Sequence, residues 1–244
     1  MIKLDKSQIT KNLGNKHYKF VPYLEKAIAD FDDEWQFVYQ EKEQDHHWHP
    51  SSHCVQPATE LYAIARGEVE PWVISGSLRK TFQVGHFWHQ WLQYITLHKL
   101  EMCKPEAIER KGKHEWGTGH FQAVAGAGDI APLEAPGWTG LVDIKTMSAQ
   151  NYARPQIPEF FADKYECQMN IYMFLFDLGE AMILAVNKDT GEFREVIYQR
   201  NLSLINTLIE KWQFVGACLD ADEAPTKADN DMFDLEGLLT GPIA

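Results

Sequence analysis

The sequence feature that most constrains the fold is a short apolar run, Leu141–Ile144, which one carboxylate interrupts and one lysine follows. The turn signal Pro136-Gly137 precedes this run, and together they predict a strand that enters from a hairpin. Because alternate side chains of a strand share a face, Asp143 and Lys145 are expected to point the same way. A carboxylate and an ammonium group on one face of a buried strand are costly unless they are paired or have a function.

Asp129 lies on a second short strand-like run, expected over residues 120–130, which can bring another carboxylate alongside Asp143. Two carboxylates and a lysine are what metal-assisted phosphodiester cleavage needs. The carboxylate oxygens bind Mg²⁺, and the lysine supplies a cation near the attacking water or the scissile phosphate. These three side chains therefore favour nuclease chemistry.

Three motifs in the chain resemble those of one nuclease superfamily. Asp129 together with Asp143-Ile-Lys145 resembles the PD-(D/E)XK signature, and Gln168-Met-Asn-Ile-Tyr172 is similar to the QxxxY motif of its RecB-type branch. That branch includes the RecB and Cas4 nucleases and many phage exonucleases. Gly85-His-Phe-Trp-His89 resembles the GxxxH helix that supplies a histidine in the same branch. The motifs occur in the family's order, and the resemblance covers roughly residues 50–220.

The resemblance implies an α/β fold with a restriction-endonuclease-like core, in which helices flank a central mixed β-sheet. Residues 51–219 are expected to form this core, with a helical and extended elaboration at residues 1–50 and an acidic C-terminal tail at residues 220–244. We expect a single structural domain overall, with helical elaborations at both ends. The implied activity is metal-dependent hydrolysis of DNA, by an exonuclease rather than an endonuclease, in DNA recombination, repair or phage genome processing.

The resemblance also implies a metal site built from His89, Asp129, Asp143 and the backbone carbonyl of Ile144, which would hold one or two Mg²⁺ or Mn²⁺ ions. Asp129, Asp143 and Lys145 are the implied catalytic residues. Lys145 would orient or help to deprotonate the attacking water, and it would neutralise charge in the transition state. To act as a general base, this lysine needs a pKa lowered by burial and by nearby metal charge.

Gln168 and Tyr172 are four residues apart and therefore share one face of a helix that is expected over residues 164–176. The resemblance implies that they bind substrate DNA or position the lysine and the water. Two arginines are further candidates for substrate binding. Arg154 lies in the loop over residues 148–158, and Arg79 begins a basic stretch.

Two of these assignments have competitors in the sequence. His86 follows Gly85 directly and lies on a different helical face from His89. Relatives often have an acid three residues after a glycine, and Gly119-His-Phe-Gln122 fits that frame with glutamine in the acidic place. In the Gln122 frame the second metal ligand is missing, and the chain would be a catalytically inactive DNA-binding or structural protein of the same fold.

A histidine-rich segment suggests a third hypothesis, a zinc-binding interaction domain built on His46, His47, His49, His53 and Cys54. The sequence lacks a second paired-ligand segment at finger-like spacing, which argues against this hypothesis. The four cysteines, at positions 54, 103, 167 and 218, include no CxxC pair and are expected to be buried free thiols. Cas4-like relatives hold an iron–sulfur cluster with one early and three late cysteines. The late group is missing here, so no iron–sulfur cluster is expected.

The formal net charge of −12 argues against binding to nucleic acid, because contacts with phosphates dominate affinity for DNA. The charge is unevenly distributed, however. Between residues 79 and 115 there are seven Lys and Arg residues against four Glu residues. A basic groove on an acidic body is compatible with this pattern, and DNA remains the expected partner. A homo-oligomer or a recombination partner protein is a further expectation.

Hydrophobic periodicity predicts additional helices. They are expected at residues 25–33, 77–100 and 201–218, with a short strand at residues 35–39. No run of eighteen apolar residues occurs, and the N-terminal residues lack the apolar core of a signal peptide. We therefore expect a soluble, cytoplasmic protein without a membrane partner, located in the host cytoplasm if a phage encodes it.

Three other segments complete the expected fold. Residues 103–116 are polar and charged and are expected to end a helix and continue as a loop. The runs 181–186 and 193–198 flank the Asn187–Gly191 turn and predict a hairpin whose second strand lies at the edge of the sheet. From Asp220 onward, we expect a mobile or loosely docked tail.

Overall fold

The computed structural model describes residues 18–29, 47–69, 76–118, 121–153 and 157–243, with the backbone alone for residues 29, 76–81 and 157–162. Its helices are α1 (Val21–Ala29), α2 (Pro50–His53), α3 (Ala58–Ala65), α4 (Gly76–His98), α5 (Ala149–Tyr152), α6 (Ile157–Phe176), α7 (Leu202–Ala221) and α8 (Lys227–Asp231). Its strands are β1 (Ile108–Glu115), β2 (Ala123–Ala135), β3 (Trp138–Met147), β4 (Glu180–Asn187) and β5 (Phe193–Gln199).

The strands form one five-stranded mixed sheet in the order β1-β2-β3-β4-β5. Neighbouring strands are antiparallel except β3 and β4, which are parallel. Parallel neighbours need a long crossover, and here α5 and α6 provide it. The structure confirms the predicted α/β class, with the helix-flanked mixed sheet of a restriction-endonuclease-like core. It also confirms that β5 lies at the edge.

Helices cover both faces of this sheet. On one face, α1 and α4 pack through a core that includes Leu92 and Val142. On the other face, α6 packs through residues such as Met173, which shares a core with Ile183. Behind α6, a third cluster around Trp212 joins α7 and the segment that precedes α4. Because α6 is covered on two sides, its polar motif residues lie in the interior.

The β2–β3 hairpin forms as the sequence predicts. Gly137 has a positive φ of 77° in the connecting turn, a conformation that glycine adopts without steric cost. The strands pair from Ala135 opposite Trp138 to Ile130 opposite Val142. Two residues after Val142, the backbone N–H of Ile144 in β3 donates a hydrogen bond to the Asp129 carboxylate of β2. A side chain therefore links the two strands at this end of the sheet.

Residues 108–115 form the edge strand β1, where the sequence predicted a loop. The paired residues run from Ile108 opposite Ile130 to Glu115 opposite Ala123. Most of its charged side chains are exposed, so the apolar alternation that signals a strand is missing. Charged side chains are typical of edge strands, because they discourage pairing with another chain.

The C-terminal segment is packed against the core, which differs from the expected mobile or loosely docked tail. A capping box at Thr226 starts α8. Glu166 of α6 then accepts hydrogen bonds from the N–H groups of Thr240 at 2.8 Å and of Gly241 at 2.9 Å. The acidic composition hid four apolar side chains that pack on the α7 cluster, namely Phe233, Leu235, Leu238 and Leu239.

At the N-terminal end, α1 begins at Val21, four residues before the predicted helix start. Glu195 of β5 accepts hydrogen bonds from the N–H groups of Lys19, Phe20 and Val21, each at 2.6 Å. A carboxylate is favourable at a helix N-terminus, and this one attaches α1 to the sheet. The predicted strand at residues 35–39 lies outside the described residues. Within the described ranges, no helix has the length and apolar character needed to cross a membrane.

Candidate active site

Asp143 and Lys145 lie on the face of β3 that α6 covers, as the strand alternation predicts. Asp143 is only 3% exposed, and Nζ of Lys145 lies 2.6 Å from its Oδ2. Gln168 of α6 donates from Nε2 to the other carboxylate oxygen, Oδ1, at 3.3 Å. One cation and one amide therefore hold this buried carboxylate.

Asp129 of β2 is oriented by two contacts at the same end of the sheet. Its Oδ2 accepts the backbone N–H of Ile144 at 2.6 Å, and its Oδ1 lies 3.4 Å from Nδ1 of His89. The backbone of β3 thus fixes a carboxylate of β2 close to Asp143 and Lys145. The hairpin and α4 bring together four of the residues that the sequence singled out.

The glycine of the GxxxH segment has a steric role in this arrangement. A Cβ atom on Gly85 would lie 3.2 Å from Oγ1 of Thr146, the residue that follows Lys145. Glycine therefore lets α4 approach the end of β3 closely, and His89 reaches Asp129 one helical turn later. The competing histidine, His86, is exposed.

A second steric contact joins the Asp129 motif to the Gln168 motif. A Cβ atom on Gly126, three residues before Asp129, would lie 2.5 Å from Cε1 of Tyr172. Tyr172 is buried and lies one helical turn after Gln168. Its ring therefore occupies the space that the missing side chain of Gly126 leaves, and it fixes the distance between α6 and β2.

Two residues of the site were missed in the sequence analysis, Gln93 of α4 and Glu109 of β1. Gln93 donates from Nε2 to Oε1 of Glu109 at 2.7 Å and to the backbone carbonyl of Asp129 at 3.2 Å. One ligand atom each from His89, Glu109 and Asp129 lies within 4.8 Å of the other two. Gln93 is one turn after His89, so helical spacing could have found it. Glu109 lay in a stretch that was predicted to be a loop.

The pKa values of the two aspartates are shifted in opposite directions. Burial raises the pKa of Asp129, but His89 and Lys145 outweigh it, so this pKa lies below its ordinary value. Burial also raises the pKa of Asp143, and the charge of Asp129 adds to that effect. The pKa of Asp143 is therefore raised although Lys145 lies beside it.

The pKa values of Lys145 and His89 both lie above their ordinary values, which favours the protonated form of each side chain. Burial lowers the pKa of Lys145, but the charges of Asp143 and Asp129 outweigh it and raise this pKa above its ordinary value. Burial likewise lowers the pKa of His89, and Asp129 outweighs it. These surroundings favour an ammonium group on Lys145, which suits charge neutralisation better than proton abstraction.

Gln122, the competitor of Asp129, lies elsewhere in the fold. Its Nε2 donates to Oδ2 of Asp220 at 2.9 Å, and a Cβ atom on Gly216 of α7 would lie 2.9 Å from the same nitrogen. The structure therefore places Asp129, and not Gln122, beside His89. Gly119, the start of the Gln122 frame, lies outside the described residues.

The histidine-rich segment forms a local contact at α2. Nδ1 of His53 accepts the backbone N–H of His49 at 2.8 Å, and burial lowers the pKa of His53 to about 4. Among the residues that the structure describes, His47, His49, His53 and Cys54 do not supply three ligand atoms close enough for one metal ion. His46 lies outside the described part of the chain. All four cysteines are free thiols, but only Cys54 and Cys167 are buried as predicted, whereas Cys103 and Cys218 are partly exposed.

The two arginines proposed to bind substrate stay predictions. Arg154 lies outside the described residues, and Arg79 lies in the first turn of α4, where the backbone alone is described. On β1, by contrast, the side chains of Arg110, Lys111 and Lys113 are described and exposed. These three form the basic part of the strand that also carries Glu109.

The donor set at the site suits a divalent cation. Carboxylate oxygens are the ligands that Mg²⁺ prefers, and an imidazole nitrogen is a common partner for transition metals such as Mn²⁺. Asp129 directs Oδ1 toward His89 while the Ile144 N–H holds its Oδ2. Among the described residues, His89 and Asp129 lie close enough to Glu109 for all three to hold one divalent cation, whereas Asp143 is not part of that group of ligand atoms.

Neither a family model nor a curated protein sequence matches the chain. Among solved structures, the chain is similar to SSO0001, with a TM-score of 0.46 and 14% identity, over 72% of this chain and 77% of that chain. It is also similar to a phage-related exonuclease from Haemophilus somnus 129PT, with a TM-score of 0.40 and 18% identity, over 90% of this chain and 94% of that chain. At these scores, any functional conclusion depends on the residues of the chain itself.

Proposed function

We propose that the chain is a metal-dependent deoxyribonuclease that hydrolyses the phosphodiester bonds of DNA, acting as an exonuclease in DNA recombination, repair or phage genome processing. The observation that carries the proposal is the convergence of α4, β2 and β3 on one buried polar site, with His89, Asp129, Asp143 and Lys145 as its members. The charge of Asp129 raises the pKa of Asp143, so the two carboxylates repel each other, and a bound divalent cation would relieve that repulsion.

The proposed ligands of one or two Mg²⁺ or Mn²⁺ ions are His89, Asp129, Asp143 and the backbone carbonyl of Ile144. When bound, such a cation polarises the scissile phosphate and activates water for attack. The chain's own contribution is to orient the ligands. The N–H of Ile144 holds one oxygen of Asp129 and leaves the other facing His89, as supporting hydrogen bonds do at metal sites in general.

Lys145 is proposed to neutralise the negative charge that develops on the phosphate during cleavage. Asp143 and Asp129 favour its ammonium form. Its Nζ also lies 5.6 Å from the ring centroid of Tyr165, so an aromatic face lies on another side of the cation. A positioned ammonium group in a water-poor site stabilises developing charge strongly, and it can also orient the attacking water by a hydrogen bond.

Gln168 and Tyr172 are proposed to position the catalytic groups rather than to bind DNA directly. Both side chains are buried. Gln168 holds Asp143 by its amide, and Tyr172 sets the spacing between α6 and the glycine that precedes Asp129. Of the two roles that the sequence left open for this motif, burial favours positioning.

DNA is proposed to approach the site along β1. Gly112 lies against Phe176 of α6, so its neighbours Lys111 and Lys113 point to the opposite face, the α4 side. The same side carries the contact between α4 and Glu109. Exposed lysines on this strand can neutralise phosphates locally, Lys113 by exchanging its ion pair with Glu115, although the chain as a whole carries a formal charge of −12.

The competing hypothesis was a catalytically inactive DNA-binding or structural protein of the same fold. Glutamine in the place of the second acid and the formal net charge of −12 both favoured it. Gln122 instead contacts Asp220, and Asp129 provides the acid beside His89. The geometry therefore favours the catalytic hypothesis.

Cleavage of end-labelled linear DNA and of covalently closed circular DNA by the full chain tests the proposal. Each substrate is incubated with Mg²⁺, Mn²⁺ or EDTA. We expect loss of linear DNA alone, and only with a divalent cation. Cutting of the circle would contradict the exonuclease assignment, and intact substrates in the presence of folded protein would contradict the nuclease assignment.

A further inference from the structure

Glu109 holds a backbone conformation that its residue type rarely adopts. Its φ is +47°, in the left-handed region, although it lies within a strand. Ile108 pairs with Ile130 and Arg110 pairs with Gly128, so Glu109 lies opposite Asp129. A non-glycine residue at positive φ costs free energy, and such residues cluster at functional sites.

A buried amide links the Glu109 carboxylate to the site. Gln93 is 5% exposed, and its Nε2 donates to Oε1 of Glu109 at 2.7 Å. The same nitrogen donates to the backbone carbonyl of Asp129 at 3.2 Å. Through these two hydrogen bonds, the Gln93 amide connects the Glu109 side chain of β1 to the backbone of β2.

The spread of the ligand atoms suits a single cation. One ligand atom each from His89, Glu109 and Asp129 lies within 4.8 Å of the other two. Two ligands on opposite sides of one Mg²⁺ ion are about 4.2 Å apart, given bond lengths of about 2.1 Å. Adjustments of less than about 1 Å would therefore bring all three atoms to coordination distance.

The charges of the site are a separate reason to expect Glu109 to bind the cation. With His89 neutral, as a metal ligand must be, the ionised forms of Asp129, Asp143 and Lys145 carry one net negative charge, and Lys145 is paired with Asp143. Glu109 adds a second negative charge on the α4 side of the sheet. A divalent cation balances two negative charges, and a site with fewer carboxylates holds it less strongly.

We propose that Glu109 is a ligand of the divalent cation, which it holds together with His89 and Asp129. The inference rests on the proposed function for the identity of the ion, Mg²⁺ or Mn²⁺. It adds a fourth side chain to the ligands that the sequence motifs imply, and it explains the left-handed backbone of β1 at this position. Gln93 is a positioning residue that directs the Glu109 carboxylate toward His89.

Calorimetric titration of the metal-free full chain with Mn²⁺, without DNA, tests this proposal. Glu109→Gln removes the charge and one ligand oxygen, and we expect it to weaken Mn²⁺ binding by at least about tenfold. Glu115→Gln is the matched control, because Glu115 is an exposed carboxylate on the same strand, six residues away, and its ion pair is with Lys113 rather than with a residue of the site. We expect its affinity to stay within about twofold of the wild type, given screening over that distance.

A second variant, Glu109→Asn, controls for folding. Asparagine tolerates the left-handed conformation better than most residues, so this change removes the carboxylate and accommodates the backbone. With EDTA present, we expect the melting temperatures of both Glu109 variants to match that of the wild type. With Mn²⁺ present, the rise in melting temperature should be smaller for both variants than for the wild type.

The outcomes separate this proposal from the proposed function. If both Glu109 variants bind Mn²⁺ as tightly as the wild type, Glu109 is not a ligand. The same conclusion follows if Glu115→Gln loses as much Mn²⁺ affinity as the Glu109 variants do. If the wild type binds Mn²⁺ and the Glu109 variants do not, Glu109 is a ligand even if no DNA is cleaved. If the wild type binds no Mn²⁺, the metal dependence and the role of Glu109 fail together.

Discussion

Two glycines decide how closely the elements of the proposed site approach each other. Gly85 allows α4 to reach Thr146 at the end of β3, and Gly126 gives space to the ring of Tyr172. Each belongs to a motif that the sequence presents as separate, yet each acts on a residue of another element. At the scale of single residues, the motifs therefore fit together by shape as well as by chemistry.

We predict that Gly126→Ala lowers the free energy of unfolding by about 1–3 kcal/mol, the usual cost of an atom forced into a filled site. The added Cβ atom would lie 2.5 Å from the Tyr172 ring, which is buried and cannot move freely. Urea unfolding measures the change.

Gly179→Ala is the matched control for this substitution. A Cβ atom on Gly179 meets no neighbouring atom within 4 Å, so its unfolding free energy should stay within about 0.5 kcal/mol of the wild type. Equal stabilities of the two variants would contradict the steric role of Gly126.

At the scale of elements, short segments far apart in sequence hold the helices in place. Helix α2 has only four residues, and His53 accepts a hydrogen bond from the N–H of His49 at its start. Trp212 of α7 donates from Nε1 to the backbone carbonyl of His53 at 3.4 Å. The ring of Trp48 also meets that of His53 edge-on, with centroids 5.6 Å apart. A neutral imidazole is part of this contact, because protonated Nδ1 is unable to accept a hydrogen bond.

We predict that the contact at His53 weakens in mild acid. Burial lowers the pKa of His53 to about 4 in the folded chain, against an ordinary value of 6.5. Between these values the unfolded chain binds more protons, so stability falls as the pH decreases from 6.5 toward 4. Across this pH range, His53 lowers the free energy of unfolding by up to about 3 kcal/mol.

Urea unfolding at several pH values between 7.5 and 4.5 measures this effect, with His53→Asn as the comparison. Asparagine keeps a hydrogen-bond acceptor but does not titrate, so stability should fall less steeply with decreasing pH in the variant. Other groups titrate equally in both proteins and cancel in the difference. Identical pH profiles would show that His53 does not contribute.

At the scale of the whole molecule, most elements were predictable because their signals are local. The β2–β3 hairpin, α4, α6, the β4–β5 hairpin and α7 each have a turn signal or a hydrophobic period of their own. Asp129, Asp143 and Lys145 could also be brought together from the sequence, since a hairpin places their strands side by side. Their convergence with His89 followed only from the family resemblance.

The remaining features depend on contacts between distant parts of the chain. Strand β1 exists because β2 supplies its hydrogen bonds, and its charged residues carry no strand signal. Glu109 could therefore not be assigned to the site until its position opposite Asp129 was known. The packing of the C-terminal segment has a similar origin, because Glu166 on α6 holds residues that lie more than seventy positions later.

The central claim is that Lys145 and its neighbours form one catalytic site, and single-turnover cleavage of linear DNA tests it most directly. Wild-type chain, Lys145→Ala and Lys99→Ala are compared, each with Mg²⁺ and with EDTA. Lys99 is exposed at the end of α4, so its variant controls for the loss of one positive charge.

We expect metal-dependent cleavage by the wild type and by Lys99→Ala, and a rate at least about a hundredfold lower for Lys145→Ala. Circular dichroism should show that all three proteins are folded. Cleavage by folded Lys145→Ala at the wild-type rate would contradict the account, because the site would then not be where the chemistry occurs.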